Sequence, residues 1–179
     1  MNRLNKSYLT ASFFMFIGVL LVTHWTTALA VQKGAMAVKF RIVNNTAKIE
    51  MTHSDKEEKH YVGNYERRGL GFHENGDIVT TLGRGKFDSK KGITSYEYQE
   101  TQTFEDGSTQ VMKLQGESKP APGGKGRLSG GTFEYVEGTG RFVGIKGNGS
   151  FKGKFPTYTK ESKGYAYFDF TGTYTLPSK

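Results

Sequence analysis

Glu100 is the side chain placed best for chemistry. It stands in the run Tyr96-Glu97-Tyr98-Gln99-Glu100, and its neighbours of the same parity are Tyr96, Tyr98 and Phe104. A period of two marks a strand with one buried face. The spacing therefore puts a carboxyl group on the apolar side. Burial raises a carboxyl pKa unless the group is paired, which suits it to acid–base work or to holding a ligand. A structural ion pair, or a place at a barrel mouth, is the plainer reading. A second group, His60, Asn64, Glu66 and Arg68, shares the parity of Leu70 and Phe72. On that parity it gathers around Glu100. Gly63, Gly69 and Gly71 interrupt the same run, and one bulge there reverses the faces. Glu100, His60 and Arg68 are thus candidate catalytic residues. Tyr98, Asn64, Glu66, Met112, Phe168 and Phe170 are candidate ligand-binding residues.

Other chemistries are excluded or weakly supported. The chain has no cysteine, which removes thiol catalysis and cysteine zinc sites. Its histidines, His24, His53, His60 and His73, show no paired ligand spacing, so no metal site is expected. The glycine run Gly138-Thr139-Gly140-Arg141-Phe142-Val143-Gly144-Ile145-Lys146-Gly147 is no phosphate loop, because no Gly-Lys-Ser/Thr follows it. No cofactor is expected. The net charge of +8 comes with lysines spread along the chain, as on solvated strand faces. No motif for reading nucleic acid is present.

These residues must be held by strands. Val38, Phe40 and Ile42 alternate with Lys39 and Arg41, and Phe168, Phe170, Tyr174 and Leu176 share one parity near the end. Asn44-Asn45 reads as a bulge or bend. Glu74-Asn75-Gly76 and Glu105-Asp106-Gly107 carry the same hairpin chemistry. Either a two-residue turn or a three-residue bulged loop fits such a sequence. The three-residue register pairs Tyr98 with Leu114 and Glu100 with Met112, and leaves Lys113 and Gln99 on a polar face. It also pairs Phe72 with Ile78 and Leu70 with Thr80. We choose it, with Phe72, Leu70, Ile78 and Leu82 expected inside and His73 and Asp77 outside.

The expected strands are 37–52, 60–73, 77–87, 94–104, 109–116, 129–136, 148–155 and 165–176. Glycine inside strands marks bends and barrel corners. Eight short antiparallel strands predict an all-β fold closed into an antiparallel barrel, which leaves no edge exposed. The segment Gly138–Gly149 is expected to close one end, with Phe142 and Ile145 beneath it.

Residues 1–30 read as a helical signal peptide: Arg3 and Lys6, the apolar run Ala11–Val22, then Ala28-Leu29-Ala30 as a cleavage site. The apolar run is too short to span a membrane, which takes roughly 20 residues. Residues 31–179 are then one barrel domain, exported to the periplasm or the extracellular space, with no stable membrane span after cleavage.

The runs Asp88–Thr109 and Gly138–Gly147, with Asp169-Phe170-Thr171-Gly172-Thr173-Tyr174-Thr175-Leu176-Pro177, resemble the allene oxide cyclase barrel group, which includes plant dirigent proteins and exported bacterial members. The resemblance covers most of residues 31–179 and implies a lipocalin-like, eight-stranded barrel. It also implies self-association, plant members commonly being trimers. The cyclases carry a cysteine on the third strand that this chain lacks. Three functions stay open: a module binding a small hydrophobic or aromatic molecule in the barrel, a cyclase, isomerase or stereochemical guide using Glu100 with Arg68 or Tyr98, and a filled structural barrel.

Mass spectrometry of the exported product is expected to find Val31 at its N-terminus. A product that keeps Met1 in a membrane fraction would point to an anchor instead.

Overall fold

The computed structural model describes residues 34–157, 159 and 165–178. The expected signal peptide and its cleavage site lie outside the described residues, as do 158 and 160–164. Eight strands follow in order: β1 (Met36–Asp55), β2 (His60–His73), β3 (Ile78–Lys90), β4 (Ile93–Thr103), β5 (Thr109–Pro120), β6 (Arg127–Gly138), β7 (Lys146–Phe155) and β8 (Ala166–Thr175). Each pairs with the next, and β1 pairs with β8, so the sheet closes into a barrel.

Both hairpin loops have three residues. The His73 N–H donates to Asp77 O at 2.9 Å and the Gly76 N–H to His73 O at 3.0 Å. The Phe104 N–H donates to Ser108 O at 2.9 Å and the Gly107 N–H to Phe104 O at 3.0 Å. Gly76 and Gly107 sit at φ of 92° and 79°, the left-handed region that glycine adopts without strain. The expected pairs Phe72–Ile78, Leu70–Thr80, Tyr98–Leu114 and Glu100–Met112 all form. A register shift between Asn44 and Thr46 makes Asn45 the bulge read from the sequence.

The face of the first hairpin is corrected. Leu70, Phe72 and Ile78 are 41%, 41% and 60% exposed and point outward. The inner positions of β2 and β3 are instead Gly63, Tyr65, Arg67, Gly71, His73, Val79, Thr81 and Gly83. His73 turns in and stacks on Phe40 at 4.8 Å. The physical reason is space. The interior of an eight-stranded barrel is just wide enough for side chains to fill, so one wall must be thin where the opposite wall is thick. The inner glycines supply that thin wall.

Rings fill the middle. Phe40 stacks on Phe170 at 4.5 Å, and Phe170 stacks on Phe151 at 5.2 Å. Phe133 meets Phe40 and Phe170 edge-on. The end bearing the two hairpin loops is sealed. There a short 3-10 turn, Gly140–Phe142, tucks Phe142 against Phe104 at 4.7 Å, with Ile145 1% exposed. Arg141 closes over it. Its guanidinium lies on Phe104 and Phe142 and pairs with Asp77 at 2.8 Å and Asp106 at 3.6 Å.

Removal of the buried Phe142 ring is expected to be costly. Phe142→Ala should lose about 3–5 kcal/mol of unfolding free energy in a denaturant titration. A loss under about 1 kcal/mol, too small for a truncated core aromatic, would show that this plug is not part of the core.

Candidate functional site

Inner positions alternate along each strand, so β4 delivers Tyr96, Tyr98, Glu100, Gln102 and Phe104 to the interior. Glu100 is 2% exposed and lies between Gly83 on β3 and Met112 on β5. Gly83 makes the room: a Cβ there would stand 2.5 Å from Glu100 Oε2. Glu100 Oε1 has no hydrogen-bond partner among the described residues. Burial pushes the carboxyl up to about 8. The nearby Thr81 hydroxyl and the Arg67 guanidinium pull the other way without overcoming it. Thr81 lies close enough to soften the effect, yet its own Oγ1 also closes no hydrogen bond among the described residues. At neutral pH the carboxyl is therefore largely protonated.

The next row toward the sealed end is polar as well. Gln102 pairs with Thr81 on one side and Gln110 on the other. Gln102 Oε1 accepts from His73 Nε2 at 3.0 Å, while Gln102 Nε2 and Gln110 Oε1 have no partner among the described residues. Burial, chiefly, holds the His73 pKa below its usual 6.5, so the ring is neutral. Four unpartnered polar atoms, on Thr81, Glu100, Gln102 and Gln110, thus occupy adjacent inner positions on β3, β4 and β5.

The other end of the barrel is built differently. Pairing of β1 with β8 stops at Asn44–Ala166, but β1 runs on with β2 to Asp55. Ile49 pairs with Tyr65 and Met51 with Gly63, so both lie on the inner side of this extension, where they are 59% and 46% exposed. Arg67 stands at the inner wall beside them. Its guanidinium lies 4.6 Å from the Tyr65 ring and 4.7 Å from the Phe155 ring, with Phe168 at 6.0 Å. Burial raises the Tyr65 and Tyr98 phenols, which keeps both as O–H groups. Among the described residues this end brings together apolar side chains and the Arg67 guanidinium, with rings and then a neutral carboxyl further in; Arg127, beside Phe155, is held by neutral acceptors.

Of the residues singled out from the sequence, Glu100, Tyr98, Met112, Phe168 and Phe170 meet inside. The cluster of His60, Asn64, Glu66 and Arg68 around Glu100 is corrected, because all four side chains lie away from the interior. His60 Nε2 is 2.9 Å from Asp88 Oδ1 at the far tip of β2. Glu66 Oε1 binds Arg68, and Glu66 Oε2 accepts from Arg84 at 2.8 Å. Those guanidiniums, Arg84 first, hold the Glu66 carboxyl below its ordinary range. Asn64 and Glu66 line a groove of about 1060 Å³ on the outer wall, with Arg84, Lys86, Glu97 and Lys113. Some of its charges are paired with one another, Glu66 with Arg84 at 2.8 Å and Lys86 with Glu97 at 3.3 Å. The groove's charged side chains lie on the outer face of the wall, and it is read as a solvated sheet face.

Sequence reasoning missed Arg67, Tyr65, Thr81, Gln102, Gln110 and His73. The inner glycines of β2 and β3 were the available signal, because Arg67 shares the parity of Gly63, Gly69 and Gly71.

No protein-family model matches this chain, and no curated protein matches it. Among solved structures it is similar to a pterocarpan synthase dirigent protein, with 14% identity and a TM-score of 0.45, covering 80% of this chain and 90% of that one.

Glu100 makes a signed prediction. Its pKa of about 8 when folded stands above the ordinary 4.5. From pH 4.5 to 8 the unfolded chain has therefore lost a proton that the folded chain keeps. Stability falls as pH rises across that window, by several kcal/mol at about 1.4 kcal/mol per unit. His73 acts with the opposite sign below 6.5, so the wild-type curve is compared with that of Glu100→Gln. Denaturant titrations should show the fall in the wild type and its absence in the variant. Parallel curves would mean that the carboxyl is ionised in the fold.

Proposed function

We propose that this barrel is an exported binding module that takes a small apolar or aromatic molecule through the mouth beside β1. The observation that carries the reading is Glu100: a carboxyl inside an aromatic wall, in space cleared by Gly83, with Oε1 unpartnered among the described residues. An unpaired buried polar group costs about 1–3 kcal/mol. A polar atom of a bound molecule, or a water, removes that cost. The aromatic residues around it supply the apolar contact that such pockets use.

A carboxyl that keeps its proton at neutral pH donates a hydrogen bond better than it accepts a proton. This favours Glu100 as an anchor, or as an acid, over the base of a cyclase or isomerase. The filled-barrel alternative has its own support in the stack of Phe40, Phe170 and Phe151, which occupies the middle of the barrel.

A neutral fluorescent probe separates these readings. N-phenyl-1-naphthylamine should brighten saturably on titration with the purified barrel, and Glu100→Gln should shift its affinity and flatten its pH dependence without abolishing uptake. A probe that stays dark in water and with the barrel alike would favour the filled barrel.

A further inference from the structure

We infer that the molecule held by this barrel carries a carboxylate on an apolar body, and that Arg67 is the residue that selects it. The inference rests on the binding reading above and names the chemistry of its ligand.

Arg67 differs from the other arginines among the described residues. Arg68 and Arg84 are tied to Glu66, Arg41 to Asp169, and Arg141 to Asp77. Arg127 is tied to the Ser118 carbonyl and to Thr94. Arg67, among the described residues, has rings alone: Tyr65, Phe155 and Phe168. A guanidinium packed on aromatic faces keeps its N–H groups in its own plane, free to meet a planar oxyanion. Among the described residues no acid pairs with it. Glu100 is the one acid among the buried described residues, and burial keeps it largely protonated near neutral pH. Arg67 therefore brings to the inner wall a positive charge with neither an acid nor a hydrogen-bond acceptor against it among the described residues, whereas Arg127 is held by neutral acceptors.

One guanidinium fits a monoanion. Its fork matches a carboxylate in bidentate fashion, whereas a phosphate dianion in the same place would keep a charge unmet. The body of the ligand is set by what surrounds the cation. Ile49 and Met51 present exposed apolar surface on the inner side of the β1–β2 extension, and Phe155 and Phe168 close the other side. A carboxylate on an aromatic or alkyl body would meet Arg67 at the mouth and bury its apolar part among the rings.

The test uses two molecules of one shape, 2-naphthoate and 2-naphthalenemethanol, titrated calorimetrically into the purified barrel at neutral pH. The wild type should prefer the carboxylate by tenfold or more, which is about 1.4 kcal/mol. Arg67→Met keeps an apolar stem and should erase the preference. Arg68→Met removes the neighbouring cation on the outer face and should leave it intact. Equal binding of the two molecules by the wild type overturns the inference, and so does a preference that survives Arg67→Met. Should Arg67→Met fail to fold, Arg67→Lys decides: a weakened preference supports the inference, and an undiminished one overturns it. If N-phenyl-1-naphthylamine binds while naphthoate is refused, the carboxylate inference alone falls. If neither binds, the binding reading falls with it.

Discussion

The width of a closed eight-stranded barrel governs this molecule. Such an interior holds one layer of large side chains from each wall and little more, yet this chain sends many rings inward. They fit because glycines stand opposite them. A Cβ on Gly153 would come within 2.2 Å of Phe168, one on Gly85 within 2.3 Å of the Tyr98 side chain, and one on Gly149 within 2.6 Å of Phe133. Each ring lies over a neighbour with no side chain, so ring and glycine together fill about the space of two ordinary residues. The glycines that look like weak points in the strands are what lets an aromatic core exist. Interiors tolerate few voids, and substitution at these sites would push a ring off its neighbour.

The same limit shapes the electrostatics. Glu100 has room for its carboxyl only because Gly83 opposes it, and the aromatic surroundings exclude the water that would ionise it. Arg67 stands near enough to favour the charged carboxyl and still does not overcome desolvation. An acid and a base thus share one interior without forming a hydrogen-bonded ion pair among the described residues. Arg67 is steadied by the faces of Tyr65 and Phe155, and attraction of this kind between a cation and a ring is worth about 0.5–2 kcal/mol. That holds the guanidinium in place and leaves its charge unspent.

The strands and their registers were legible because they are local. Asn75-Gly76 and Asp106-Gly107 dictate a loop, the loop fixes the register, and both hairpins pair as that logic requires. The face of the second hairpin was legible too, since Tyr96, Tyr98, Met112 and Leu114 oppose a row of Glu, Gln and Lys. The first hairpin resisted the same argument. Its apolar residues, Leu70, Phe72 and Ile78, lie outside, and its inner side is built from glycine, Arg67, Thr81 and His73. Apolar surface turns inward only while the interior has volume to receive it, and here Phe40 and Phe170 had already taken that volume. Barrel closure is a property of all eight strands, so no reading of one hairpin could reveal it. The face carries the candidate site with it: the sequence pattern points to Arg68, Asn64 and Glu66, whereas the fold turns Arg67 and Tyr65 inward.

The polar patch on β3, β4 and β5 has a further consequence. Thr81, Glu100, Gln102 and Gln110 each bring one buried polar atom with no partner among the described residues. At about 1–3 kcal/mol each, the total is comparable to the whole net stability of a small domain, about 5–15 kcal/mol. A barrel that needed only to be filled would carry leucine or valine at these positions, as it does at Leu114 and Val79 nearby. Instead the chain clears space beside Glu100 with Gly83, turns His73 in to hold one side of Gln102, and leaves the remaining polar atoms toward the interior. The aromatic stack offsets the expense by burying large rings, and the sealed end with Phe142 and Arg141 keeps that stack from loosening. The polar row, only partly satisfied among the described residues, thus lies between the aromatic stack and the sealed end, and the β1–β2 extension stands at the other end of the barrel.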